Sequence, residues 1–291
     1  IEDGESPSIE VAGEEGAEYI LAFDPSWSES EASDDFAIQV IKLIPAEKKG
    51  VLVHSYALPG TNLKKHITYF KYILDNFNIV MVVGDYNGGV QFMNSCNESD
   101  LFKKDKLEIG MFDGDFNNPR DYVKDLKEAR RKYNVQGKVI CHLRKPLSVW
   151  IRNANEMLQT AFDRKRLYFA ATAMDDNYSI QKAKRIPVKD LKFSKYEDEK
   201  NVGAKMIDFI EHQKDMIDLT KAECALIQVS SSAGGTQSFD LPPNLKRQKG
   251  VDKARKDSYS ALILGNWGMN IYYDMMNIPE EINHGFTPIF I

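Results

Sequence analysis

Several kinds of chemistry are missing from this sequence. It has no stretch of about eighteen apolar residues and no charged-then-apolar leader, so it offers neither a membrane-spanning helix nor a secretory signal and reads as a soluble, intracellular chain. Cysteine is scarce. Cys96, Cys141 and Cys224 stand far apart and in no CxxC or Cys/His ligand spacing, which argues against a disulfide framework or zinc finger and leaves reduced, buried thiols. The five histidines, His54, His66, His142, His212 and His284, fall into no HExxH pattern and are read as structural or surface residues. Neither GxSxG nor GxxxxGK[ST] occurs, so a nucleophilic-serine hydrolase and a P-loop nucleotidase are both excluded as read from motifs.

What is present begins with an uneven charge. The formal net charge is -5, yet residues 1–35 hold twelve Asp or Glu and no Lys or Arg, leaving 38 basic against 31 acidic residues in the rest. The body is therefore basic behind an acidic leader, a balance compatible with phosphate contacts. Residues 1–18, rich in Glu and Gly without apolar period, read as a flexible arm or linker remnant, with one folded unit over 19–291.

Hydrophobic patterning organises that unit. Apolar runs at Tyr19–Phe23, Phe36–Ile44 and Val51–Leu58 read as a hairpin and a third strand, and Leu63, Ile67, Phe70, Ile73, Leu74 and Phe77 mark an amphipathic helix. Ile79–Val83 is a buried strand stopping at Gly84-Asp85. A sheet that starts antiparallel and turns parallel after a crossover helix has the order of an RNase H-like α/β fold. Further elements are expected as a charged helix at Tyr122–Tyr133, a strand at Lys138–Leu143, a helix at Leu147–Phe162 and a polar insertion at 172–200. After these come a helix over 202–218, an added β-hairpin within Cys224–Leu241 and a last helix from Asp257 to Met276.

Acids at strand ends are the candidate chemistry. Asp24 and Asp85 each follow an uninterrupted apolar strand, and on adjacent strands their carboxylates would converge at one end of the sheet. Such crowding is tolerable with a bound cation, and hard oxygen ligands suit Mg²⁺ or Mn²⁺. An isolated strand-end Asp more often caps a turn, and an Asp in a helix's first turn, as Asp257, favours the helix dipole whatever its function.

Asp24-Pro25, Asp85-Tyr86-Asn87-Gly88-Gly89 and Lys256-Asp257-Ser258-Tyr259-Ser260-Ala261-Leu262, in that order, resemble the three acidic motifs of the nuclease domain of viral large terminases of the tailed-bacteriophage type. The helix Leu147–Phe162 running into Arg166-Leu167-Tyr168-Phe169 resembles that family as well, and the likeness extends over roughly 19–276. The resemblance implies an RNase H-like endonuclease that cuts concatemeric viral DNA during packaging. It implies that Asp24, Asp85 and Asp257 hold two divalent cations, Mg²⁺ or Mn²⁺, with Asp35 a fourth candidate beside Asp34. It also implies a fragment without its packaging ATPase, double-stranded DNA as substrate, portal and small terminase subunit as partners, and the cytoplasm of an infected host cell as location. Asp113 and Asp115 are read as solvated loop acids. The basic run Lys246, Arg247, Lys249, Lys253, Arg255 and Lys256, just ahead of Asp257, is a candidate contact for the DNA backbone. Alternatives are another RNase H-like nuclease such as a resolvase, or a non-catalytic DNA-binding or motor-docking module.

Overall fold

The computed structural model describes residues 8–26, 34–59, 63–113, 139–171, 202–231, 237–247 and 254–276. In chain order its elements are β1 (Tyr19–Asp24), β2 (Asp35–Ile44), β3 (Lys49–Pro59), α1 (Leu63–Asn76), β4 (Ile79–Asp85), α2 (Tyr86–Glu98), α3 (Asp100–Lys104) and β5 (Gly110–Phe112). There follow β6 (Ile140–Arg144), α4 (Ser148–Asp163), β7 (Leu167–Phe169), α5 (Val202–Leu226), β8 (Gln228–Ser231), β9 (Gln237–Asp240), α6 (Pro243–Lys246) and α7 (Asp257–Met276).

Seven strands form one mixed sheet in the order β5-β6-β4-β1-β2-β3-β7, with β1 in the middle. β2 runs antiparallel to both β1 and β3, whereas β1–β4, β4–β6, β5–β6 and β3–β7 are parallel. This is the RNase H-like arrangement expected of the apolar runs, and β8–β9 is the added hairpin, a separate two-stranded sheet. β1 is apolar at every position before Asp24 because it is covered on both faces. Tyr19, Leu21 and Phe23 point into a core with α1 and α2, while Ile20 and Ala22 point into a second core with α4 and α7.

The sheet and α7 approach closely. A Cβ on Gly265 would stand 2.8 Å from Ile41 Cδ1, and one on Gly268 would stand 2.7 Å from Val83 Cγ2, so glycine at these positions lets the helix lie directly on β1, β2 and β4. Sixteen of its twenty residues are buried, which explains why α7 is apolar nearly all round rather than amphipathic.

Two expectations change and one unassigned stretch gains an element. Residues 8–18 are packed against the sheet rather than forming a loose arm: Ile9, Glu10 and Val11 are buried and the Glu10 amide donates to Val53 O. Glu10 accepts hydrogen bonds from Tyr19 Oη at 2.6 Å and Lys42 Nζ at 2.9 Å, so a segment acidic in composition is anchored by its acid. Second, the chain after Asp85 is helical: α2 kinks at Gly88, whose φ is 89°, and then buries Phe92, Met93 and Cys96. Third, α5 is longer than expected, reaching Leu226. The expected helix at 122–133, the insertion at 172–200, and Asp115, Lys249, Lys253 and His284 lie outside the described residues.

Candidate metal centre

Strand register brings two of the acids together. Phe23 pairs with Gly84 on the parallel neighbour, so Asp24 and Asp85 occupy the next matched positions at the carboxyl ends of β1 and β4. Crevices outside the carboxyl ends of parallel strands are where α/β sheets bind ligands. Asp24, Asp85, Trp150, Phe239, Lys256 and Ser260 are among the residues lining a pocket of about 200 Å³ there.

Asp257 joins from the start of α7. Its Oδ2 accepts the Asp35 backbone N–H at 2.6 Å, tying the helix start to the beginning of β2. Asp35 and Asp257 are buried, whereas Asp24 and Asp85 are half-buried. Asp34, exposed, adds its charge to Asp257's surroundings.

The electrostatics follow from this placement. Burial first, then the charges of Asp257 and Asp85, push the Asp24 carboxyl well above the ordinary range, with partial relief from a Ser260 hydrogen bond and Lys256. Asp257 is raised to about 7 by burial, opposed by the Asp35 amide and reinforced by Asp34 and Asp35. Asp85 is raised to about 6 by burial, opposed by the Asn87 amide. That amide donates to Asp85 Oδ1 at 2.5 Å, so Asp85 also caps α2.

A further acid was not anticipated. Glu223, on α5, is buried and raised to about 7 by burial, with Asp257 and Asp35 among the charges that add to it. Its Oε2 accepts the Tyr259 N–H at 2.9 Å. No local motif could have revealed it, since its partner lies 36 residues away.

Among the described residues, no three Asp, Glu, His or Cys side chains form a group that could hold an ion as they are placed. Asp85 turns to α2 and Asp257 to the Asp35 amide, so Asp24, Asp85 and Asp257 share an electrostatic field rather than a formed coordination sphere. The donor chemistry nevertheless fits a hard divalent cation: Asp24, Asp85 and Asp257 offer only carboxylate oxygens, all raised by burial and Asp24 also by the charges of the other two.

The basic run is partly tied down. Lys246 and Lys256 both pair with Asp240 on β9, the latter at 3.2 Å, and Arg255 reaches Asp35 at 3.7 Å. Arg247 is exposed. Asp113 is exposed, paired with Lys145 at 3.1 Å and not among the residues lining the pocket. Cys96 and Cys141 are buried free thiols and Cys224 is part-exposed. His54 and His66 are structural, bonded to Glu10 O and Tyr69 Oη, and to Tyr56 Oη, respectively. No helix among the described residues is long and apolar enough to cross a membrane.

No family model and no curated protein matches the sequence. Among solved structures, the chain is similar to the large terminase nuclease from thermophilic phage G20c, with TM-score 0.41 and 10% identity over 87% of this chain and 83% of that one. It is similar to the same nuclease with bound magnesium, with TM-score 0.40 and 8% identity over 88% and 84%. The large terminase from a second thermophilic bacteriophage gives TM-score 0.32 and 11% identity over 61% of this chain and 34% of that one.

The raised carboxyls set a pH dependence. A folded-state pKa above the unfolded value contributes stability that is present below the unfolded value and lost as pH rises through the folded one. For Asp85 and Asp257 that loss spans about pH 4 to 7, taking the ordinary carboxylate value as the lower edge. In EDTA, the Asp257→Asn variant should therefore gain stability relative to wild type as pH rises across this window. Melting curves at several pH values check this, and a difference that stays constant with pH contradicts it.

Proposed function

We propose that this chain is a metal-dependent DNA endonuclease of the large-terminase type, cutting concatemeric viral DNA during genome packaging. The observation that carries the reading is the placement of Asp24 and Asp85 at matched positions on adjacent parallel strands, with Asp257 brought within electrostatic reach of Asp24 by α7. The repulsion among these acids is costly unless a bound cation or a proton relieves it, which favours a site built to hold a cation.

In this reading Asp24, Asp85 and Asp257 hold two divalent cations, Mg²⁺ or Mn²⁺, with Asp35 at the margin. Bound there, the ions would supply Lewis acidity and an activated water for phosphodiester hydrolysis. The chain's own groups do the rest. Ser260 fixes the Asp24 carboxylate through its hydroxyl, and Lys256 supplies a positive charge beside it. The Asp35 amide orients Asp257. A pocket of about 200 Å³ is smaller than the roughly 300–1,000 Å³ of small-molecule sites, which suits a backbone phosphate with the duplex outside it. Lys246, Arg247, Lys249, Lys253, Arg255 and Lys256 would attract that duplex, with Lys246, Lys256 and Arg255 exchanging carboxylate partners for phosphates. Portal and small terminase subunit would be the partners of the packaging machine, acting in the infected cell's cytoplasm.

Purified protein should nick and then linearise plasmid DNA with Mn²⁺ or Mg²⁺ and be inert in EDTA. Asp24→Asn should abolish cleavage while melting in EDTA no earlier than wild type, because it removes repulsion. Cleavage that persists in EDTA rules out the reading, and DNA binding without metal-dependent cleavage favours a docking module instead.

The basic run has its own test. Lys246→Ala with Arg247→Ala should lower the log–log salt slope of DNA binding by about two, close to one for each phosphate no longer neutralised. A slope measured by fluorescence anisotropy that equals wild type would leave both side chains solvated.

A further inference from the structure

α7 begins without a cap of its own. The first intrahelical bond runs from Ser260 N to Lys256 O, which makes Lys256 the N-cap residue, and a lysine side chain has no acceptor for the unpaired amides of the first turn. Ser, Thr, Asp or Asn would ordinarily supply that acceptor. Here it comes from another helix: Glu223 Oε2 on α5 accepts the Tyr259 N–H at 2.9 Å. A carboxylate suits the positive end of the α7 dipole better than a hydroxyl would.

One turn earlier on α5, Thr220 extends the junction. Gln39 on β2 donates through Nε2 to both Thr220 Oγ1 and Ser258 O, at 3.2 Å each. Glu223 and Thr220 stand three residues apart, on one face of the helix. Both are buried, as are Gln39 and Ser258. The start of α7 is thereby held by α5 and β2 at the two residues that follow Asp257, whose own carboxylate is held by the Asp35 amide.

We propose that Glu223 is a positioning residue that caps α7 from α5 and so fixes where Asp257 stands relative to Asp24, an inference whose catalytic half rests on the nuclease reading above. Glu223 contacts neither DNA nor ion in this role. Its carboxylate oxygen acts as a hydrogen-bond acceptor, which an amide oxygen can replace.

Glu223→Gln keeps an acceptor of the same length, and Glu223→Ala removes it. All rates are measured below each variant's melting temperature. In metal-free protein, Glu223→Ala should speed amide hydrogen exchange at residues 258–260 by about tenfold, the factor that removal of a helix cap is worth, while Glu223→Gln stays near wild type. In plasmid nicking, Glu223→Ala should lower kcat about tenfold or more at saturating Mn²⁺ with KM for DNA little changed, and Glu223→Gln should restore it. If Glu223→Ala does not fold, Glu223→Asp, one methylene too short to reach, takes its place. Equal damage by Gln and Ala overturns the proposal in favour of a charged, ligand-like role, and unchanged exchange or unchanged kcat overturns it outright. A wild-type protein that never cleaves overturns the nuclease reading instead, and the exchange arm still decides the cap.

Discussion

Like charge gathered in a half-buried place is the constraint on which this structure turns. Asp24 lies between Asp85 on the neighbouring strand and Asp257 at a helix start, and both raise its carboxyl on top of the effect of burial. Such an arrangement opposes folding, so it persists only where the surrounding scaffold leaves these side chains no escape. β1 and β4 supply that scaffold through a two-sided apolar core, and α7 supplies it by lying against the sheet on Gly265 and Gly268. The compensating groups are local and specific: the Ser260 hydroxyl and Lys256 at Asp24, the Asp35 amide at Asp257, and the Asn87 amide at Asp85.

The same constraint explains why basic residues crowd the site's border. Arg255 meets Asp35, and Lys246 and Lys256 converge on Asp240 of the hairpin, so positive charge borders the acids, with Lys256 also acting on Asp24. The two pairs on Asp240 are exposed enough to be worth little to stability, which leaves Lys246 in particular free to exchange partners at small cost. Phe239, two residues along β9 from Gln237, carries the hairpin to the rim of the pocket, while β8 stays solvent-facing throughout.

The sheet was legible in the sequence where burial is symmetrical. β1 and β4 are apolar on both faces, and an acid that ends such a run can only emerge at the strand's end, which is why Asp24 and Asp85 stand out from the other acids. The limits of α7 were equally plain, because its all-round apolar character starts at Asp257 and needs no partner to be recognised. Elements that depend on distant contacts were hidden. No element was expected after Asp85, yet one positive φ at Gly88 is absorbed as a kink and α2 continues into the core. Ile9 and Val11 are too few to signal order, and residues 8–18 are held by Glu10 reaching Tyr19 and Lys42. Glu223 carries no local pattern at all, since its meaning comes from the amide of Tyr259.

In the proposed function the acids converging on Asp24 form one cation site. Its most direct test is a crystal of the protein soaked in Mn²⁺, with anomalous scattering used to locate the ion. Manganese peaks are expected between the Asp24, Asp85 and Asp257 carboxylates, two of them about 3.5–4 Å apart if both ions bind together, with Asp85 released from the Asn87 amide to reach them. Manganese bound elsewhere, with Asp85 still capping α2 and Asp257 still turned to the Asp35 amide, would contradict it.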